Sequence, residues 1–81
     1  MIVINEKSGL RKRIGYKDLA KRYLEFYNAL NEENFVVNMI FMLDEWEKLE
    51  GLKFERLMPS DWEMILKAVK VLDVEPVFVA N

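Results

Sequence analysis

The stretch FVVNMIFML at positions 35–43 contains a single polar residue, Asn38, in a chain of 81 residues. So continuous an apolar run needs cover on nearly every side. A chain this short has one core to provide it, and domains of this size bury only about 60% of the surface their unfolded chains expose. Drawn as a helix, the run places Phe35, Met39, Met42, Trp46 and Leu49 in one seam, flanked by Val36, Ile40 and Leu43. Val37 and Phe41 fall on the far side, near Asp44 and Lys48, where that seam cannot bury them. FVV and IF would also suit a buried central strand. The spacing that continues through Trp46 and Leu49 favours a helix over 32–50, with Asn31 as N-cap, Glu32 and Glu33 at its positive end and Gly51 as the stop.

The rest of the chain defines the cover available. MIVIN is rich in β-branched residues and ends at the turn-like EKSG, so 2–5 reads as a strand, and GLRKRIG can return beside it as a second. In YKDLAKRYLEFYNAL, Leu19, Tyr23, Phe26, Tyr27 and Leu30 recur at helical spacing, predicting an amphipathic helix over 17–30. LKFERLM reads as a strand of about five residues. PSDWE offers Ser60 as N-cap and Glu63 three residues on, a capping box ahead of a helix over 61–72 with Trp62, Ile65, Leu66, Val69 and Leu72 inward. Pro76 then excludes helix, and PVFVA reads as a last strand. The expected architecture is a single α+β domain, 1–81, of order β(β)ααβαβ: a small mixed or antiparallel sheet covered on one face by about three helices.

Composition removes much ordinary chemistry. The chain has no cysteine, histidine or threonine, and its two serines, Ser8 and Ser60, lack an activating imidazole. Disulfides, thiolate sites and histidine-based acid–base or metal chemistry are therefore unavailable. Gly9, Gly15 and Gly51 form no phosphate loop and read as turn and cap residues. The expectation is a protein that is not an enzyme, with no catalytic residue, metal, cofactor or small-molecule substrate. Glu6 and Lys7 interrupt any secretory signal after the opening residues, and no apolar run reaches the roughly 20 residues of a membrane span, so a cytoplasmic location is expected. Compactness without cysteine also suits a protein of a phage or other mobile element, by association rather than deduction.

Charge is distributed unevenly. Residues 1–22 hold seven basic and two acidic side chains, while the remainder holds five basic and twelve acidic ones. Arg11, Lys12, Arg13, Lys17, Lys21 and Arg22, with Tyr16 and Tyr23 among them, form a candidate surface for an anionic partner, nucleic acid included. YKDLAKRY resembles the first helix of winged-helix regulators, but no recognisable turn and recognition helix follow, so no family is assigned. Asp44, Glu47, Glu50 and Glu55 read as a solvated face rather than a metal cluster. What remains unexplained is Val37 and Phe41, with Tyr27 beside them. The expected function is a small interaction module, an adaptor, regulator or inhibitor, that buries this flank against a protein partner or a second copy of itself. The alternative is a nucleic-acid-binding accessory protein working through 11–22.

Overall fold

The computed structural model describes residues 2–79, and the side chains of residues 3–73. The chain forms β1 (Ile2–Asn5), β2 (Arg11–Arg13), α1 (Tyr16–Tyr27), α2 (Phe35–Glu50), β3 (Leu52–Phe54) and α3 (Pro59–Val79). It is an α+β fold of three helices on a three-stranded antiparallel sheet of order β2-β1-β3.

The hairpin β1–β2 turns on Asn5. Its Oδ1 accepts the N–H groups of Lys7 and Ser8, its carbonyl accepts Gly9 N–H at 2.7 Å, and Gly9 adopts φ +71°. An Asx turn followed by a left-handed glycine reverses the chain without strain. The register opposes Val3 to Lys12 and Phe54, and Ile4 to Arg11 and Lys53. Val3 is buried at 2% exposure, so its face is the core face, and Ile4, Arg11 and Lys53 belong to the other one.

Helix α1 is shorter than its apolar spacing suggests. Asn28 takes φ 66° and its N–H bonds the Leu24 carbonyl at 2.7 Å, a left-handed cap that ends the helix before Leu30. Leu19, Ala20 and Tyr23 are fully buried, whereas Phe26, expected inward, lies 52% exposed because the buried stripe centres on the Ala20 side. Helix α2 begins at Phe35 rather than 32. Asn31 Oδ1 accepts Asn34 N–H at 3.3 Å, so its side chain closes a turn ahead of the helix instead of capping it. At the other end Gly51, φ 64°, terminates α2 as expected. Phe35, Met39 and Met42 are buried and Trp46 half-buried, but Leu49 is 74% exposed. Sixteen residues span about 24 Å and the twelve of α1 about 18 Å, so α2 is the longer by about a turn.

β3 is three residues long because Phe54 N–H bonds Glu47 Oε2 at 2.7 Å, tying the strand's end to α2. The α3 N-terminus departs from the expected capping box. The N-cap is Met58, Pro59 takes the first helical position, and Asp61 Oδ2 accepts Met58 N–H at 2.8 Å. Asp61 fills this role because Pro59, whose missing donor costs nothing there, starts the helix two residues early and leaves Ser60 exposed. The last strand is also absent. The helix runs on through Pro76 to Val79, and Ala80 lies outside the described residues. A strand there would need a neighbour, yet β1 already has one on each side and both edges are three residues long; a helix supplies its own backbone partners.

Tyr16 joins α1 to α3 by donating its hydroxyl to Asp61 Oδ1 at 2.5 Å. That bond, with the Met58 N–H, holds the Asp61 carboxyl below its ordinary value; acceptance by Asp61 raises the Tyr16 hydroxyl above its own. A depressed carboxyl contributes stability above about pH 4 and loses it as pH falls through the lowered value. A raised phenol contributes below about pH 10 and loses it as pH rises through the raised value. Tyr16→Phe is expected to lower the melting temperature at neutral pH, with the gap to the parent closing at both extremes. Circular-dichroism melts across pH check this, and a gap of constant size contradicts it.

Candidate interaction surfaces

The α2 flank is the first surface. Val36, Val37, Ile40 and Phe41 are 43%, 52%, 54% and 61% exposed, two pairs one turn apart on the side of the helix that the core does not reach. Beside them, Ile40, Leu43, Phe54, Leu57 and Trp62 line a cleft of about 250 Å³, with Asp44, Glu47 and Arg56 at its rim. The apolar flank thus continues into a groove toward the start of α3. Leu57 and Trp62 escaped the sequence reading of this surface because Trp62 fits the inward stripe of its own helix equally well.

Tyr27 belongs to the packing rather than to the free flank. Its ring lies 4.9 Å from both Tyr23 and Phe26, and its hydroxyl donates to the Asn38 carbonyl at 2.8 Å. Partial burial, with Tyr23 alongside, raises that hydroxyl above the ordinary tyrosine value. Asn38, the lone polar residue of the apolar run, is accounted for by the same contact, since its Nδ2 also donates to Tyr23 Oη at 3.4 Å. It sits where α2 meets two tyrosines that need partners.

The six basic residues of 11–22 do not form one surface. Arg22 is drawn inward: its guanidinium lies 4.6 Å from the Trp46 ring centroid and 3.4 Å from Glu50 Oε2, locking α1 to α2. Lys17 and Lys21 are exposed on α1. Lys12 shares the face of Val3 and lines, with Leu10, Ile14 and Trp46, a cavity of about 510 Å³. Trp46 Nε1 is closed to solvent and finds no hydrogen-bond partner among the described residues, so a ligand in that cavity could not reach it. Arg11 and Arg13 alternate with Lys12 and lie on the opposite face of the sheet, where β3 places Lys53 beside them. Lys53 was invisible as a member of this group because the pairing that brings it there, with Ile4, joins residues 49 positions apart.

The carboxylates have separate duties. Asp44 pairs with Lys48 at 3.0 Å one turn on, Glu47 holds Phe54 N–H, and Glu50 meets Arg22. They do not converge on a common point. No helix among the described residues is long and apolar enough to cross a membrane. Compared with known proteins, the chain matches no family model, no curated protein and no solved structure.

Arg22→Gln is expected to cost about 1 kcal/mol, the sum of a modest cation–π contact and an exposed ion pair. Arg22→Lys should recover only the ion-pair part. Urea unfolding followed by tryptophan fluorescence measures both, and equal stability of the lysine variant and the parent would show that the stacking contributes nothing.

Proposed function

We propose that this protein is a non-enzymatic interaction module that buries the α2 flank, Val36, Val37, Ile40 and Phe41, against a protein partner or a second copy of itself. The observation that carries the reading is the exposure of these four side chains together on one helix. Val and Ile are poor choices for an exposed helical position, costing about 0.5 kcal/mol each relative to the best helix formers. Leaving them in water forfeits a further ~1 kcal/mol or so apiece that burial would return. Folding alone gives no reason for either cost. A partner surface does, and the Trp62 cleft beside Ile40 provides a concave seat for an apolar side chain from it.

In this reading the helices cover the sheet on one face only, and their outer side, with α2 foremost, faces the partner. The polar rim of Asp44, Lys48 and Glu47 sets orientation while the apolar centre supplies affinity. An adaptor, a regulator or an inhibitor that acts by occluding its partner all fit such a surface.

The double substitution Val37→Ser and Phe41→Ser, at sites outside the core, is expected to leave the fold intact and to abolish association. Sedimentation velocity over a concentration series measures self-association, and affinity capture from the native host identifies a heterologous partner. A parent protein that stays strictly monomeric, and whose captured partners are unchanged by the double substitution, overturns the reading.

A further inference from the structure

The face of the sheet turned away from Val3 has a composition unlike the rest of the protein. Ile4 of the central strand is flanked directly by Arg11 on β2 and Lys53 on β3, and Arg13 follows Arg11 two residues along. Strand geometry sets Arg11 and Arg13 about 7 Å apart along β2 and Arg11 and Lys53 about 10 Å apart across the sheet. Arg56, just beyond β3, joins them: Ile4, Arg11, Lys53, Phe54, Glu55 and Arg56 line a cleft of about 430 Å³. Arg11, Arg13, Lys53 and Arg56 are all exposed. Among the described residues none of the four is held in an ion pair, whereas Arg22, Lys48 and Lys70 each have a carboxylate within 3.4 Å. In a chain of net charge −2, four such cations gathered on one face repel one another to no structural benefit.

The chemistry of the face narrows what can relieve that repulsion. It presents one described aliphatic side chain, Ile4, and no aromatic platform, because the Phe54 ring is packed edge-on against Trp46 at 5.0 Å. A protein partner would find Ile4 as the one apolar anchor among the described side chains, and exposed ion pairs contribute roughly 0–1 kcal/mol each. A lipid surface would find only Ile4 to insert among the described side chains. Single-stranded nucleic acid would find no ring on which to stack its bases. A duplex phosphate backbone requires none of these, since its affinity comes from counterions released as cations replace them.

We propose that this outer sheet face, through Arg11, Arg13, Lys53 and Arg56, is a sequence-independent docking site for the phosphate backbone of a nucleic-acid duplex. It does not use the apolar side chains of the α2 flank, although Arg56 also borders the Trp62 cleft. Arg guanidiniums, planar and permanently charged, suit bidentate contact with phosphate, and Lys53 and Arg56 provide the second row. Contacts of this kind are tuned by salt.

Fluorescence anisotropy with a labelled DNA duplex of about 20 base pairs tests this. About four phosphate contacts predict that Kd rises with salt at a log–log slope near 3.6, so binding weakens about 100-fold between about 50 and about 200 mM NaCl. The double substitution Arg11→Gln and Lys53→Gln should lower that slope by about 2, and Arg56→Gln, which lies outside the strands, by about 1. Lys67→Gln on the exposed side of α3 should leave it unchanged, as should Phe41→Ser, which separates this site from the α2 surface. The proposal fails if the duplex does not bind in low salt, or if Lys67→Gln weakens binding as much as the sheet substitutions do. It fails equally if a single strand binds more tightly than the duplex. Polyglutamate displacing the duplex at equal charge would assign the face to an acidic protein instead and would overturn it too.

Discussion

Helix α2 carries apolar residues around more of its circumference than one small sheet and two further helices can cover. Phe35, Met39, Met42 and Leu43 take the available cover, and they fix the rest of the fold by doing so. Tyr23, fully buried where α1 meets α2, lays its ring against Phe35 at 5.2 Å and Tyr27 at 4.9 Å. Glu47 reaches from α2 to hold the end of β3. Helix α3 packs chiefly against α1, with Ile65 and Val69 in the core, rather than closing over α2. The groove beside Trp62 and the bare flank from Val36 to Phe41 follow from that arrangement. A core of this size has no layer left to fill them.

Electrostatics follow the same economy of layers. Along the chain the basic residues crowd into the first quarter, yet the fold disperses them instead of displaying them as a block. Arg22 becomes part of the α1–α2 contact through Trp46 and Glu50, and Lys12 turns to the core side of the sheet. The period-two alternation of β2 sends Arg11 and Arg13 the other way, and antiparallel pairing through β1 adds Lys53. The result is two chemically distinct surfaces on one small body, an apolar helix flank and a cationic sheet face.

Much of the local structure was legible from the chain. The β-branched opening, the EKSG turn, the amphipathic spacing of α1, the long second helix and its stop at Gly51 each rest on interactions between residues a few positions apart. The exposure of Val37 and Phe41 was legible for the same reason, since a helix that buries Phe35, Met39 and Met42 cannot also bury residues half a turn away. Errors arose where two local signals competed. Ser60 and Glu63 match a capping box, but Pro59 moves the helix start and Asp61 takes the capping role. Pro76 resists helix, but with both sheet edges short the backbone finds its partners more readily within α3. Phe26 and Leu49 match helical stripes but are 52% and 74% exposed.

By itself, then, the sequence determined which segments coil, which extend, where they turn, and that α2 has more apolar surface than it can hide. These are consequences of backbone preference and periodicity, which act over one or two helical turns. Tertiary structure alone decided which cations meet, which tyrosine is a strut, and which side of α2 opens onto a cleft. Those outcomes depend on strand pairing and helix packing between residues tens of positions apart, and no short-range pattern encodes the register that brings Lys53 beside Ile4 and Arg11.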